Sequence, residues 1–437
     1  MLNEKIKVTV IVTIHNSEKY LEECLDSVCS QSLKEIEILC VDGGSIDSSP
    51  YILKKYMEKD CRIKIINDSN TSYGHKINIG IANAHGDYIS ILESDDKMDS
   101  LMLEHLYVVA EKFFPDIVDA DSLAFFENRG KIYSYKRKKY GDIECSNRII
   151  YNSERKFPII SPGAIWTGIY KKSFLIENKI ILNESPGASY QDSSFAFLTS
   201  ILAETFYHIE EPLYKYRIDN IGSSVKDNSK IFEIIEECYF LENELKKHQI
   251  TNLNIWNLFY KKKYDVYFWN ACRLTDINAR AKFLEKYKFE LEEDFKKNNI
   301  SRENIKKEEY ITTYMYLDNE QEFLREIEKN SENDLFCKID YLLREISNKQ
   351  IVIFGAGIRG DRFIEIIGEN HCDIKAICDN DKKLHYTQKH GYEILPVEKA
   401  IEKNVSAIFV IANKKNSDAM KKQLLSLGIK EEDILFY

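Results

Sequence analysis

Three carboxylates occupy four consecutive positions, Glu93-Ser94-Asp95-Asp96, directly after the apolar run at residues 88–92. Hard divalent ions such as Mg²⁺ and Mn²⁺ take oxygen ligands and often bind through one or two carboxylates together with a phosphate. Carboxylates this close repel one another unless a cation or another charge compensates them. We therefore predict a divalent metal site here. The alternative is a polar turn in which Asp96 or Asp99 caps the next helix.

Two further polar turns follow β-branched runs earlier in the chain. His15-Asn16 comes after residues 8–13, and Asp42-Gly43-Gly44 comes after residues 36–41. A helix pattern begins at Ser17, which we predict as its N-cap. Strands that alternate with helices predict a parallel, doubly wound sheet, whose ligands bind at the carboxyl ends of the strands. The three polar turns are therefore expected to meet at one edge of that sheet.

The residue composition and the spacing of apolar residues change twice along the 437 residues. Residues 1–225 read as the doubly wound domain, in which residues 195–209 form a buried helix that runs into a strand. Residues 226–345 are rich in Glu, Lys, Leu, Phe and Tyr with helical apolar spacing, so we predict a helical segment. Residues 346–437 read as a small Rossmann-like domain, which makes the whole chain an α/β protein.

Composition excludes several classes of protein. The formal net charge of −10 argues against a broad nucleic-acid-binding surface. The basic runs at residues 136–139 and 261–263 are more typical of solvated faces than of binding patches. We find no apolar stretch long enough to span a bilayer and no signal peptide. Ten cysteines without a C-x-x-C pair favour a reduced, cytoplasmic setting.

The first 225 residues resemble glycosyltransferase family 2, which has the GT-A fold and inverts the anomeric centre. Five ordered stretches carry the resemblance, at residues 10–28, 37–49, 78–80, 84–89 and 92–96. The resemblance implies a hexosyltransferase that moves a sugar from a nucleotide sugar, UDP-linked by preference, to a hydroxyl of a glycan. Such an enzyme would serve polysaccharide biosynthesis.

The same resemblance assigns a pocket for the donor base. It implies that Thr13 and His15 line a uracil pocket and that Asp42 lies near the base. Many relatives carry a second acidic residue after this aspartate, but Gly43 stands there in this chain. Base recognition is therefore expected to depart from the usual pattern.

Further residues are assigned to the phosphates and the metal. The family motif is commonly Asp-x-Asp, whereas this chain has Glu93-Ser94-Asp95, so Asp95 is expected to contact Mn²⁺ or Mg²⁺ directly and Glu93 to assist. Ser94 is counted with the donor site. Lys76 or the neighbouring His75 is assigned to the diphosphate, although a surface position on the helix fits the pattern equally. Arg217 is a second phosphate candidate.

An inverting transferase needs one base that takes the proton from the acceptor hydroxyl. Asp192, in Ser189-Tyr190-Gln191-Asp192, matches the family's base at the start of a helix. Gln191 replaces the acid that usually precedes the base, and the alternative is that Asp192 only caps the helix. Trp166 matches the segment before the acceptor site, where stacking on a sugar and packing in the core are both open.

Two other functions remain open at this stage. Gly355-Ala-Gly-Ile-Arg-Gly360 follows a predicted strand, and Asp379 lies about 20 residues further on, as in dinucleotide-binding units. The alternative function is therefore an NAD-dependent oxidoreductase or epimerase that acts on a nucleotide sugar. A third class is a transferase fold that has lost its activity.

The resemblance also implies partners. The acceptor is expected to be a glycan or a lipid-linked glycan. A lipid-linked acceptor would bring a cytoplasmic enzyme into peripheral contact with the inner membrane face. The appended C-terminal domain is compatible with a homo-oligomer, and no nucleic-acid partner is expected.

Overall fold

The computed structural model describes residues 5–128, 130–140, 147–152, 163–220, 222, 228–274, 276–297, 299–300, 310–330, 335–347, 349–368, 372–404 and 406–437. The chain divides into two compact units. The first comprises Met1–Leu123 and Arg137–Glu332, and the second comprises Ala124–Lys136 and Asn333–Tyr437.

A mixed sheet forms the centre of the first unit, and its strand order is β3-β2-β1-β4-β9-β6-β10-β5. The four strands at one side, β3, β2, β1 and β4, are parallel, and β9 then joins β4 and β6 in antiparallel fashion. The strands are β1 (Val8–Ile14), β2 (Ile36–Asp42), β3 (Ile63–Asn67), β4 (Tyr88–Glu93), β5 (Lys97–Met98), β6 (Ile117–Asn128), β7 (Lys131–Arg137), β8 (Ile149–Tyr151), β9 (Gly168–Lys171) and β10 (Thr205–Arg217).

Helices connect these strands, as the alternating pattern predicted. They are α1 (Leu21–Cys29), α2 (Ser49–Met57), α3 (Tyr73–Asn83), α4 (Met102–Phe113), α5 (Lys172–Glu177) and α6 (Gln191–Leu202). The predicted α/β class is therefore confirmed, as is the buried helix that leads into β10. The predicted N-cap at Ser17 is wrong, because residues 18–20 form a turn and Tyr20 caps α1. The Ser17 hydroxyl instead lies 2.6 Å from the Ser94 hydroxyl.

The predicted helical segment contains α7 (Glu233–Lys247), α8 (Leu253–Arg273), α9 (Ile277–Lys296), α10 (Tyr310–Thr313), α11 (Met315–Asp318) and α12 (Glu320–Asn330) within the first unit. One continuous cluster of buried apolar side chains extends from Ile11 in β1 to Ile327 in α12. Burial of apolar surface is the main driving force for packing, so these helices share a core with the sheet.

The prediction that the two basic runs are solvated faces is wrong for the last lysine of each run, although Arg137 and Lys138 are exposed. The side chain of Lys139 is 3% exposed and that of Lys263 is 4% exposed. Lys139 pairs with Asp119, and Lys263 pairs with Asp294. Buried lysines of this kind need an acidic partner, because an unpaired buried charge is costly. Lys261 differs from Lys139 and Lys263, because it forms its ion pair with Asp265 at the surface.

The second unit contains a sheet with strand order β13-β14-β12-β11-β15-β16. Its elements are α13 (Leu335–Ile346), β11 (Gln350–Phe354), α14 (Ile358–Ile367), β12 (Asp373–Cys378), β13 (Gln388–Lys389), β14 (Tyr392–Leu395), α15 (Val397–Lys403), β15 (Ile408–Ile411), α16 (Ser417–Ser426) and β16 (Ile434–Phe436). All neighbours except β13 and β14 are parallel. The order reverses beside β11, which ends at the glycine-rich turn.

Among the helices that the structure describes, none combines the length and the apolar composition needed to cross a membrane.

Candidate functional site

The register of the central strands brings the three predicted polar turns together. Thr13 in β1 pairs with Val41 in β2 and with Glu93 in β4. The next residue, Ile14, pairs with Asp42. Because β1 lies between β2 and β4 and all three run in the same direction, their carboxyl ends form one edge. The expected meeting of the turns at one edge of the sheet is what the structure shows.

The acidic turn after β4 is a compact cluster. One carboxylate oxygen from each of Glu93, Asp95 and Asp96 lies within 4.8 Å of the others. Asp96 is buried, and it accepts hydrogen bonds from the Tyr214 hydroxyl at 2.9 Å and from the Arg217 backbone N–H at 2.7 Å. The alternative in which Asp96 caps the next helix is wrong, because α4 begins at Met102 after Leu101.

Charge repulsion and burial act together on this cluster. Burial and the charges of Asp95 and Asp192 raise the pKa of Glu93 to about 8. Burial and the charges of Asp95 and Glu93 hold the pKa of Asp96 well above its ordinary value. Glu93 also accepts a hydrogen bond from the Tyr73 hydroxyl at 3.0 Å. Clustered oxygens whose charge lacks compensation fit a hard divalent cation, which would favour their ionised forms.

The predicted phosphate contact Arg217 lies behind the acidic turn. Its Nε donates to the Asp95 carbonyl at 3.0 Å, and its Nη2 donates to Glu23 at 3.0 Å. The guanidinium also lies over the Tyr20 ring, 4.2 Å from the ring centroid. These contacts use the guanidinium to fix the turn that carries Asp95. A second contact, from the Asn220 side-chain amide, reaches the Asp95 carboxylate at 2.7 Å.

Lys76 occupies the space next to Gly43. The Lys76 Nζ donates to the Thr71 carbonyl at 2.9 Å, and burial lowers its pKa to about 8 although Asp42 opposes the shift. A Cβ at Gly43 would lie 2.8 Å from the Asn70 carbonyl oxygen and 3.2 Å from the Lys76 Nζ. The usual second acid is therefore excluded by sterics at this position. The alternative surface position of Lys76 is wrong, because its side chain is buried.

The other residues assigned to the donor are placed around the same edge. Thr13 and Asp42 are buried, and Asp42 accepts hydrogen bonds from the Ser45 backbone and hydroxyl at 3.0 and 2.6 Å. His15 is exposed, and its Nδ1 lies 3.0 Å from the Gly43 carbonyl. His75 pairs instead with Glu184 and Asp68, away from Lys76. Their assignment to a nucleotide stays a prediction.

Asp192 lies in the first turn of α6. The N-cap of α6 is Tyr190, so the alternative in which Asp192 caps the helix is wrong. Burial raises the pKa of Asp192 to about 6, while Lys262 and two backbone N–H groups oppose the shift. The charge of Asp192 contributes to the raised pKa of Glu93, which places the predicted base in the same region as the acidic turn.

Two ionisable neighbours of Asp192 could not be predicted from the sequence. Lys262 in α8 faces Asp192, and burial lowers its pKa. Glu237 in α7 accepts a hydrogen bond from the Ser194 backbone, and burial raises its pKa to about 7. Both lie about 45 to 70 positions from Asp192, so only the packing of helices brings them together. The basic run at residues 261–263 does not distinguish Lys262 from Lys261, which forms an ion pair at the surface.

Two residues near the predicted acceptor side are structural. Gln191 is buried, and its side-chain amide donates to the Ser185 hydroxyl at 2.9 Å. This hydrogen bond links the loop before α6 to the first residue of that helix. Trp166 is buried against Tyr214 and Tyr216, with ring centroids 4.3 and 5.0 Å apart. Of the two interpretations of Trp166, core packing is therefore the one that the structure supports.

The glycine-rich turn of the second unit has the shape of a dinucleotide fingerprint, but its acid is engaged. Asp379 accepts a hydrogen bond from the Ala356 backbone N–H at 2.7 Å and from the Asp381 backbone N–H at 2.8 Å. A Cβ at Gly360 would lie 2.1 Å from the Gly355 carbonyl oxygen, so close helix packing explains that glycine. The alternative function as an oxidoreductase is not favoured.

Comparison with known proteins finds a family match within the first unit. A model of the family described as Glycosyl transferase family 2 matches residues 9–171. The resemblance drawn from the sequence is therefore confirmed for that segment, which ends before α6. A second model, described as C2185-like, N-terminal, matches residues 347–435.

Individual glycosyltransferases are also similar to this chain over about half of its length. The chain is 31% identical to the glycosyltransferase GlyA of Streptococcus pneumoniae over 48% of its own length and 30% of GlyA. It is 29% identical to the putative glycosyltransferase EpsH of Bacillus subtilis over 52% of its own length and 65% of EpsH. It thus spans less than two thirds of either relative.

Among solved structures, the first 349 residues of TarS from S. aureus, in complex with UDP-GlcNAc, align with 69% of this chain. The alignment covers 95% of that chain at 19% identity and a TM-score of 0.42.

Proposed function

We propose that this protein is an inverting, metal-dependent glycosyltransferase that moves a hexose from a UDP-linked donor to a hydroxyl of a glycan acceptor. One observation carries the proposal. The carboxylates Glu93 and Asp95 cluster at the carboxyl edge of a doubly wound sheet, and the separate carboxylate Asp192 in α6 is near enough for its charge to raise the pKa of Glu93. A cation-binding pair together with an independent base is the minimum set for such a displacement.

The donor side rests on Asp95 and Glu93, which would hold Mn²⁺ or Mg²⁺. Such an ion, when bound, stabilises negative charge on the leaving diphosphate. Asp95 is oriented for this by Asn220 and by the contact of Arg217 with its carbonyl. Thr13, His15 and Asp42 would receive the base, with Ser94 and Lys76 near the phosphates. Because Arg217 is engaged with Glu23, its contribution would be to position Asp95 as well as to add positive charge.

Asp192 would act on the acceptor. A pKa of about 6 leaves the carboxylate mostly ionised at neutral pH yet basic enough to accept the proton of an attacking hydroxyl. The side chain lies beside Gly163, where a Cβ would approach Oδ2 to 2.9 Å. The glycine therefore keeps that oxygen accessible. A glycan or lipid-linked glycan fits the acceptor role, and peripheral membrane contact would follow from a lipid-linked acceptor.

The test is an Asp192→Asn variant, assayed for sugar transfer from UDP-sugars and for UDP binding with Mn²⁺. We expect transfer to fall by about a hundredfold or more, since general base catalysis contributes about 10²–10⁴. UDP binding should persist, as judged by the rise in melting temperature with UDP and Mn²⁺. A variant that transfers sugar at the wild-type rate would remove Asp192 as the base.

A further inference from the structure

A large cleft lies between α7, α8 and α9, in the helical part of the first unit. Its volume is about 910 Å³. Ligand pockets in proteins commonly measure about 300–1,000 Å³. Four aromatic side chains line it, namely Tyr239, Trp256, Tyr260 and Phe289. None of the residues assigned to the transferase site lines this cleft, so it is a separate feature.

Trp256 provides a fixed aromatic surface in the cleft. Its indole N–H donates to the Ile250 carbonyl at 2.9 Å, which holds the ring in one orientation. One side of the ring packs on Phe259 and Tyr260, with centroids 5.8 and 6.2 Å apart. The indole remains partly exposed, and Phe289 nearby is 57% exposed. An exposed ring that is already ordered binds a ligand with little loss of side-chain entropy.

The polar lining carries a slight excess of negative charge. Every lysine that lines the cleft has an acidic partner in the same lining: Lys246 with Glu242, Lys263 with Glu290 and Asp294, and Lys297 with Glu293. Four carboxylates therefore face three lysines. An anionic ligand such as a phosphate finds no unpaired cation among them. Carboxylates and the exposed Asn257 amide are instead suited to hydroxyl donors.

These features together select one class of ligand. A pyranose presents an apolar face of C–H groups and an edge of hydroxyl groups. The first matches the faces of Trp256 and Phe289, and the second matches the carboxylates and Asn257. A purely apolar ligand would remove water from these ion pairs without offering them a hydrogen bond, which is costly. A nucleotide would bring phosphate charge to an acidic cleft.

We infer that the cleft between α7, α8 and α9 is a second saccharide-binding site, which holds a neutral stretch of the acceptor glycan away from the site of transfer. This rests on the proposed function for the identity of the glycan as acceptor. The cleft and the candidate transferase site belong to the same compact unit. Retention of the acceptor at a second site would raise its affinity without changing the chemical step.

The experiment compares Trp256→Ala with Trp269→Ala in the full chain. Trp269 is the matched control, because it is also in α8 and partly exposed but does not line the cleft. Cellohexaose and N-acetylchitohexaose are titrated calorimetrically into each protein. We expect binding to the wild type and to Trp269→Ala, and about tenfold weaker binding to Trp256→Ala. Thermal melts check that both variants are folded.

Transfer kinetics supply the second readout. The Michaelis constant for the acceptor should rise about tenfold in Trp256→Ala while kcat stays within about twofold. The inference is overturned if neither hexasaccharide binds the wild type, if Trp256→Ala binds as well as the control, or if the cleft binds only anionic lipid vesicles. If the hexasaccharides bind as expected but no donor supports transfer, the proposed function fails and the saccharide site stands.

Discussion

The first unit contains two clusters of acidic side chains that differ in how their charge is compensated. One is the acidic turn, Glu93, Asp95 and Asp96, at the end of β4. The other, which we call the β6 cluster, consists of Asp119 and Asp121 in β6 with His208 in β10 and Lys139. In the acidic turn, burial and the charge of Asp95 raise the pKa values of Glu93 and Asp96. In the β6 cluster the pKa of Asp119 is lowered, because Lys139 and His208 outweigh the effect of burial.

Geometry explains the difference. Asp119 lies 2.7 Å from the Lys139 Nζ and 2.7 Å from the His208 Nδ1, and the His208 Nε2 lies 3.1 Å from Asp121. Two negative and two positive side chains are thus closed in one network. In the part of the chain that the structure describes, hydrogen bonds to the carboxylates of the acidic turn come from hydroxyl, amide and backbone donors, and the Arg217 guanidinium contacts the Asp95 carbonyl. The β6 cluster thus pairs a buried carboxylate with cationic side chains and lowers its pKa, whereas the pKa values of Glu93 and Asp96 are raised in the acidic turn.

The largest effect is expected from opening the β6 cluster. Lys139→Met should lower the free energy of unfolding by about 3–5 kcal/mol, because it leaves Asp119 buried with one cation fewer. Urea denaturation at neutral pH measures the change. Lys138→Met, at an exposed neighbouring position, is the control and should change the stability little. Equal stability of the two variants would mean that the network contributes nothing to the fold.

The acidic turn should respond in the opposite sense. Asp95→Asn removes a charge that disfavours ionisation of Glu93 and Asp96, so the metal-free protein should be as stable as the wild type or more stable. Transfer activity should fall by about a hundredfold or more, because the cation loses its principal ligand. The measurements are thermal melts with and without Mn²⁺ and UDP, followed by transfer assays. A melting temperature of Asp95→Asn that still rises with Mn²⁺ and UDP would count against the site.

Histidine titration gives the next effect. Hydrogen bonds to Asp119 and Asp121 outweigh burial and raise the pKa of His208 to about 9. A group whose pKa is higher in the folded state stabilises fully below its unfolded pKa of about 6.5, and the stabilisation is lost as the pH rises through about 9. We expect the stability to decline by roughly 3 kcal/mol across that window. His208→Gln should remove the decline; if it persists unchanged, His208 is not its source.

The smallest effect concerns Lys262, which gives Asp192 partial compensation. Its charge lowers the pKa of Asp192, against the effect of burial. Glu93 and Glu237 also interact electrostatically with Asp192, because the charge of Asp192 contributes to the raised pKa of each. Lys262→Met should therefore move the acidic limb of the pH profile of kcat/KM to higher pH, by less than about one unit. Lys261→Met, which breaks only a surface pair, serves as control. Profiles that coincide would show that Lys262 does not tune the base.

The contrast also marks what could be predicted from the sequence. The strand ends at His15, Asp42 and Glu93 were predictable, because each follows a run of apolar residues and parallel strands end at a common edge. The prediction that Ser17 is the N-cap of α1 was wrong, because one extra turn of backbone precedes α1. That error is local and leaves the site unchanged.

The β6 cluster and Lys262 could not be found in this way. Asp119 and His208 are 89 positions apart, and no short motif links them. Lys262 stands in a run of three lysines whose burial depends on which face of α8 packs against the neighbouring helices, and the three sequence letters are identical. Buried charge is paired by tertiary contacts, so a pattern of solvated lysines is the natural but incorrect inference from composition.

The continuous core from β1 to α12 bears on how this protein can be dissected or recombined. A chain ended at residue 225 would keep the family-matched segment but lose Phe259, Tyr264 and Tyr267, which are buried in that core. Such a fragment would present the freed apolar surface of α6 to solvent and tend to aggregate. Chimeras that exchange acceptor specificity with related proteins should therefore be joined after α12, so that the transferred segment carries the helices that complete its interior.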